Sequence, residues 1–212
     1  MIETSPSEAV RARLSRVERA GRGLEPPSVI EEALADPELS VRERAIGVAA
    51  AQLAPWRLVQ LVVAGDSLAR RAAAMEALAV AGSAAVPALV EGVEAEARGA
   101  VLFLLQVLGR IHCAEALGML RARAGDPDPM LAQAALESLG HQRDLESLPI
   151  LLSALQGEPW LAFTAINALG EVGDRRAVAP LLALREEEIY QEAVDAALER
   201  IGQLPPRSRF DA

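Results

Sequence analysis

The stretch of sequence that decides the fold is residues 165–184, which read AINALGEVGDRRAVAPLLAL. In both halves of this stretch apolar residues recur at positions i, i+3 and i+4, which is the stripe of a helix and not the alternation of a strand. Between the halves, Gly170 and Gly173 suit the left-handed conformation just past a helix end. Pro180 suits the first turn of a following helix. The stretch therefore predicts a helix, a tight turn and a second helix.

The same two-helix pattern recurs along the chain with a period of about thirty residues. Two independent apolar landmarks keep this period: Ile46, Met75, Leu105, Leu136 and Ile166 in the first helices, and Leu58, Val86, Leu117, Leu148 and Val178 in the second helices. Asp36-Pro37 and Asp126-Pro127 are expected to open first helices, with aspartate as the N-cap. We predict helix pairs at 7–34, 36–63, 66–93, 95–123, 126–155 and 158–185, and a final helix at 188–202.

The repeat predicts an all-α fold in which stacked hairpins bury one continuous core, because no single hairpin can bury its apolar stripe alone. We expect one domain overall. Residues 1–35 form a degenerate N-terminal capping repeat, residues 36–203 the repeat array, and residues 204–212 a C-terminal tail. Asp195 occupies the register that Leu136 and Ile166 hold earlier, which predicts that the array ends at the last helix.

Three motifs of the chain resemble the HEAT repeat. They are the opening Asp-Pro-x-x-x-Val-Arg, the turn Ala-Leu-Gly-x-Val-Gly-Asp and the second-helix motif Ala-Val-x-Pro-Leu-Leu. The resemblance is closest to the bacterial HEAT-like repeat found in phycobilin lyases. Asp36 to Arg42, Ala168 to Asp174 and Ala177 to Leu184 carry these motifs. The resemblance implies a right-handed α-solenoid, a superhelix of about six helical-hairpin repeats plus a terminal helix. Because one fold serves many functions, it says little about activity.

Two enzymatic relatives can be compared with the residues. Deoxyhypusine hydroxylase resembles the chain in its repeats, but its di-iron site needs repeated His-Glu pairs. Here Cys113 follows His112 and Gln142 follows His141, so that activity is not predicted. HEAT-like DNA glycosylases need a basic groove with aromatic side chains, which the chain does not supply. A phycobilin-lyase function stays open, although no lyase-specific residue is recognised.

The composition of the chain argues against several classes of function. All 21 basic residues are arginines, so lysine chemistry is excluded, and 30 acidic residues give a net charge of −9. This balance argues against nucleic-acid binding, which requires an excess of positive charge. No signal peptide or membrane span is recognised, and one cysteine fits a reducing compartment. We predict a bacterial, cytoplasmic protein that is a monomer or a weak oligomer and inserts into no membrane.

The candidate partner-binding residues follow from the register of the second helices, which line the concave surface of such solenoids. Beside the anchors lie Val59, Val63, Ala88, Glu91, Met119, Arg123, Ile150 and Ala154. Met119 and Ile150 are expected at the centre of an apolar groove, with Glu91 and Arg123 orienting the partner; packing between repeats is the alternative for these residues. Trp56 and Trp160 begin helices at the edge of the stack, where they either bind a partner or seal a gap.

We predict a non-catalytic scaffold or adaptor that binds a helix or peptide of another protein in this groove. One alternative is a lyase-type or cofactor-handling subunit, and another is a self-assembling structural subunit. His112, Cys113 and His141 fall in equivalent turns but are too few for a structural zinc site, which takes four ligands. No catalytic, cofactor-binding or metal-binding residue is predicted, and no cofactor is expected.

Overall fold

A computed structural model describes residues 7–203 of the chain, and the predicted tail from residue 204 and the opening residues 1–6 lie outside this range. All regular structure in the described residues is helical. The α-helices are α1 (Glu8–Gly21), α2 (Pro27–Ala33), α3 (Leu39–Gln52), α4 (Pro55–Ala64), α5 (Leu68–Ala81), α6 (Val86–Ala95), α7 (Arg98–Leu108), α8 (Ala114–Arg123), α9 (Pro129–His141), α10 (Leu148–Ala154), α11 (Pro159–Val172), α12 (Val178–Leu184) and α13 (Gln191–Gln203). Short 3₁₀ turns occur at Gly82–Ala85, Leu145–Ser147, Arg175–Ala177 and Glu188–Tyr190.

The bounds of these helices match the six predicted two-helix segments and the final helix to within three residues, and the all-α fold of helical hairpins is confirmed. The chain divides into two compact units, unit 1 up to Val107 and unit 2 from Leu108 onwards. The predicted boundaries at residues 35 and 203 stay predictions.

Unit 1 stacks its first helices on one another. α1 packs on α2 and α3, α3 packs on α5, and α4 packs on α5 and α6. Serine hydroxyl groups cap two of these helices, since Ser7 Oγ accepts from Val10 N and Ser67 Oγ from Arg70 N, both at 3.3 Å. Such caps satisfy amide groups that have no partner inside the helix. Local sequence thus fixes the helix starts, and burial of the apolar faces fixes their packing.

One stretch of unit 1 has the length and apolar composition of a membrane span, Leu68–Ala95. It is not one continuous helix, because Gly82 adopts φ 62° and ψ −137° and separates α5 from α6. Both helices pack against α4, and Ala74, Leu78 and Leu89 are fully buried. The buried apolar residues of this stretch therefore belong to the core of unit 1.

Unit 2 is organised around α11, which packs on α9, α10 and α13, while α12 also packs on α13. Glycines bring the first helices together. A Cβ atom added to Gly140 would lie 2.7 Å from Ala168 Cα, and one added to Gly170 would lie 2.9 Å from Ala197 Cα. Both glycines lie inside helices, so the prediction that Gly170 is a left-handed helix end is wrong, whereas Gly173 does take that conformation, with φ 73°. The missing side chains serve close helix contact instead.

Fully buried alanines mark the packing surface more closely than the predicted anchors do. Ile46, Met75, Leu117 and Val178 are only half-buried, whereas the alanine before each of them is completely buried. Small side chains lie at the closest approach of neighbouring helices, where larger ones would force the axes apart. The four anchors therefore lie at the margin of this contact.

The aspartates expected as N-caps act just outside the helices. Asp36 Oδ1 accepts from Glu38 N and Asp126 Oδ1 accepts from Asp128 N, both at 2.9 Å. Helix α9 is capped by Asp128, whose Oδ1 accepts from Met130 N at 2.9 Å. The predicted N-cap role of Asp36 and Asp126 is wrong, because each aspartate lies two residues before the N-cap residue, which is Glu38 for α3 and Asp128 for α9.

Candidate partner-binding surfaces

The predicted residues of unit 1 do not all reach the surface. Val59 is only 6% exposed, and a Cβ atom added to Gly92 would lie 3.0 Å from its Cγ1. Val59 therefore packs between α4 and α6, and its assignment to a partner-binding surface is corrected. Val63 and Ala88 are half-buried and Glu91 is exposed.

The second helices of unit 2 present an uncharged face. Nine half-buried or exposed positions carry only small, apolar or hydroxyl side chains: Gly118, Met119 and Ala122 on α8, Pro149, Ile150 and Ser153 on α10, and Ala179, Leu182 and Ala183 on α12. Arg121 holds the position on α8 that corresponds to Leu182 on α12. Met119 and Ile150 are half-buried, while Leu182 is 47% exposed. We call these nine residues the second-helix face. Ala154 is half-buried at its margin.

Charged side chains beside this face have partners within the chain. Arg123 Nη1 lies 3.0 Å from Asp126 Oδ2, so the side chain expected to orient a partner is engaged by its own loop. Arg121 reaches from α8 to the turn before α10, where its Nε and Nη2 both lie 2.7 Å from Asp144 Oδ2. The Asp144 carboxylate is nearly buried and also accepts from Ser147 Oγ. These contacts fix the α10 start relative to α8.

Both tryptophans are exposed, which the sequence left open. Trp56 is 53% and Trp160 37% exposed, each directly after the proline that begins its helix. Trp56 belongs to unit 1 and Trp160 to unit 2. Exposed tryptophan is over-represented at interaction hot spots, so both remain candidates.

Trp160 lines a groove that the sequence analysis did not predict. The groove runs between α9 and α11 and encloses about 430 Å³. Its walls include Gln133, Glu137 and His141 from α9, and Trp160, Phe163, Asn167 and Glu171 from α11. Residues at these intervals share one face of each helix. We call it the α9–α11 groove.

Polar contacts order the walls of the groove. Gln133 Nε2 donates to Glu137 Oε1 at 2.9 Å, and His141 Nδ1 lies 2.7 Å from Glu171 Oε2. The ring of Phe163 packs against the ring of Tyr190, with the ring centroids 5.0 Å apart in an edge-to-face arrangement. No arginine is among the residues that line this groove. The groove thus combines an aromatic wall with two carboxylates.

The sequence itself carries a signal for this groove. Polar side chains recur at Gln133, Glu137 and His141, and aromatic or polar ones at Trp160, Phe163, Asn167 and Glu171, each at helical intervals. The predicted partner-binding residues follow the register of the second helices, so among the residues of α9 and α11 they include Trp160 alone.

Within residues 7–203, no three His, Cys, Asp or Glu side chains come together in a group that could hold a metal ion. His112 is exposed, and His141 contacts Glu171 instead of His112 or Cys113. The donor set in this part of the chain therefore does not fit the di-iron centre of a deoxyhypusine hydroxylase.

The recurring hairpins and their stacked first helices define the class of the protein as an α-helical repeat protein. The comparison with family models is more specific. Residues 95–161 match the model described as HEAT repeats, and residues 161–186 match the model described as PBS lyase HEAT-like repeat. Residues 95–186 therefore carry HEAT repeats, those at 161–186 of the phycobilin-lyase type, and the resemblance inferred from the sequence motifs is confirmed.

Solved structures support the same fold. The chain resembles the Escherichia coli protein YibA, with a TM-score of 0.54 and 16% identity over 94% of this chain and 78% of that one. It also resembles human deoxyhypusine hydroxylase in complex with glycerol, with a TM-score of 0.50 and 15% identity over 93% of this chain and 82% of that one. These identities establish the fold alone. No curated protein matches the sequence significantly.

Proposed function

We propose that the protein is a non-catalytic interaction scaffold that binds a helix or extended peptide of another protein on its second-helix face. The observation that carries the proposal is the absence of charge at nine half-buried or exposed positions on α8, α10 and α12. Unit 2 is acidic elsewhere, with fifteen acidic residues against eight arginines in residues 108–203. Uncharged, partly apolar patches on otherwise charged surfaces commonly bind partners.

The side chains of this face suit an apolar partner surface. Met119 is flexible and polarisable, which lets it adapt to different shapes. Gly118, Ala122, Ala179 and Ala183 are small, so a partner helix can approach the backbone closely. Leu182 provides an exposed apolar contact at the end of the face. We expect the partner to present apolar side chains, and we place the interaction in a reducing compartment such as the cytoplasm.

The test compares proteins that co-purify with the wild type and with charged variants. We expect a Met119→Glu/Ile150→Glu double variant and a Leu182→Glu variant to retain at least about tenfold less partner, because a buried unpaired carboxylate is costly. Leu182 is exposed, so its variant keeps the fold even where the double variant does not. Mass spectrometry quantifies the retained partner, and circular dichroism checks the helix content.

Met130→Glu is the matched control, since Met130 is a half-exposed methionine on α9 outside this face. It adds the same charge and should retain the partner at the wild-type level. The proposal is contradicted if Leu182→Glu retains every co-purifying protein as well as the wild type does.

A second candidate function is a lyase-type or cofactor-handling subunit. It is favoured by the match of residues 161–186 to the PBS lyase HEAT-like repeat. The absorbance spectrum of the protein, purified after co-expression with a linear tetrapyrrole pathway, distinguishes the two. A stoichiometric visible chromophore supports the second candidate, whereas a colourless protein that binds its partner through Leu182 supports the scaffold.

A further inference from the structure

We propose that the α9–α11 groove is a separate recognition site that takes the guanidinium group of an arginine side chain from a partner peptide. None of its residues belongs to the second-helix face, so the site goes beyond the proposed function. The proposal combines the shape of the groove, its aromatic wall and its charge.

The shape suits one long side chain and the peptide that carries it. The groove encloses about 430 Å³ and is open along α9 and α11. Trp160 and Glu171 lie eleven residues apart on α11, which corresponds to about 16 Å along the helix axis. An extended peptide of about five residues covers this distance at roughly 3.3 Å per residue.

The aromatic wall provides a surface on which a flat cation can stack. Trp160 is 37% exposed, and Phe163 beside it is fixed by Tyr190. A cation within about 6 Å of an aromatic ring centroid is attracted by the negative face of the ring, and tryptophan is the strongest partner. The chain already shows this contact in unit 1, where the Arg71 guanidinium carbon lies 4.6 Å from the centre of the Phe103 ring.

The charge of the groove favours a cation. Glu137 accepts its hydrogen bond from the neutral amide of Gln133, so that contact leaves the carboxylate charge in place. Gly140 lies against Ala168, so Glu137 is level with residue 165. That position is about 7 Å along the axis from Trp160. One guanidinium can therefore stack on Trp160 and donate to Glu137. Glu171, whose Oε2 lies 2.7 Å from His141 Nδ1, adds a second carboxylate further along the groove.

Arginine fits this site better than other cations. Its guanidinium is planar, stacks on aromatic faces and donates two parallel hydrogen bonds to a carboxylate, whereas the lysine ammonium is a strongly hydrated point charge. A bound metal ion would need more ligands than the groove offers, since its walls belong to no group of three metal-ligating side chains among residues 7–203.

The test uses Trp160 itself as the fluorescent reporter. A Trp56→Phe variant leaves Trp160 as the sole tryptophan. We titrate this variant with the peptide acetyl-Gly-Arg-Arg-Gly-amide and with the same peptide containing citrulline, the neutral isostere of arginine. We expect a saturable change in Trp160 emission with the arginine peptide, at least about tenfold weaker binding of the citrulline peptide, and weaker binding as salt rises from about 50 to 500 mM.

Variants of the carboxylates complete the test. Glu137→Gln in the same background should weaken binding of the arginine peptide by about fivefold or more, because it removes a charge-assisted hydrogen bond. Glu115→Gln, an exposed carboxylate on α8 outside the groove, should bind as the parent does. Equal binding of arginine and citrulline peptides, an unchanged Kd for Glu137→Gln, or no saturable change up to about 10 mM peptide would overturn the site. A lysine peptide that binds as tightly as arginine would overturn the guanidinium assignment.

Discussion

Single glycines determine how closely the first helices of unit 2 pack. Gly140→Ala places a Cβ atom 2.7 Å from Ala168 Cα, so α9 and α11 must separate. We expect a loss of about 1–3 kcal/mol in the free energy of unfolding, which is typical of an overpacked contact. Urea denaturation monitored by circular dichroism measures the change.

Gly118→Ala is the matched control, because Gly118 is also inside a helix and a Cβ atom there meets no other atom within 4 Å. This substitution should be neutral or stabilise by about 0.5–1 kcal/mol, since alanine has the higher helix propensity. If both variants unfold at the same denaturant concentration, close contact at Gly140 is not the reason for its glycine.

At the scale of single residues, the ion pair of Arg185 and Asp195 makes the stability of the fold depend on pH. Arg185 Nε and Nη2 donate to the two carboxylate oxygens at 2.5 and 3.1 Å, and this hydrogen bonding lowers the pKa of Asp195. Because the folded pKa lies below the unfolded one, the stabilisation is complete above the unfolded pKa and disappears as pH falls through the folded pKa. We expect NMR titration to show a lower Asp195 midpoint in the wild type than in Arg185→Gln. Identical midpoints would contradict the pairing.

At the scale of elements, an ion pair between two helices is expected to matter more than an exposed local pair. Asp144 precedes a 3₁₀ turn and is held by Arg121 from the preceding helix α8, and Asp174, before the equivalent turn, pairs with its exposed neighbour Arg176. Arg121→Met leaves the nearly buried Asp144 carboxylate without its cation, so we expect a loss of about 1–3 kcal/mol. Thermal unfolding measures it. Arg176→Met, at an exposed pair, should not shift the transition measurably; equal shifts would contradict the distinction.

The elements themselves could be predicted from the sequence, whereas the groove could not. Apolar spacing and prolines such as Pro55, Pro149 and Pro159 fix where helices begin, and these signals are local. The exposure of Leu182 and the burial of Val59 depend on which helices become neighbours, which a periodic pattern does not state. The α9–α11 groove required the register between two helices thirty residues apart, which Gly140 and Ala168 determine.

At the scale of the whole molecule, stability is expected to differ between inner and outer helices. In the described part of the chain, α11 packs on first helices at both sides, α9 and α13, whereas α13 packs on α11 alone among first helices. Repeat arrays derive stability from contacts between neighbours, so amides of α11 should exchange with deuterium more slowly than those of α13. Hydrogen-exchange mass spectrometry measures both, and equal protection would contradict a neighbour-based account.

The repeated contact between glycine and alanine has a consequence for how the array can grow. Gly140 receives Ala168, and Gly170 thirty residues later receives Ala197, so α11 presents to α13 the same kind of surface that α9 presents to α11. A copy of such a hairpin inserted between these repeats would find the same glycine–alanine contact surface on each side. The length of unit 2 is thus a property that gene duplication or protein engineering can change by whole repeats without redesigning an interface.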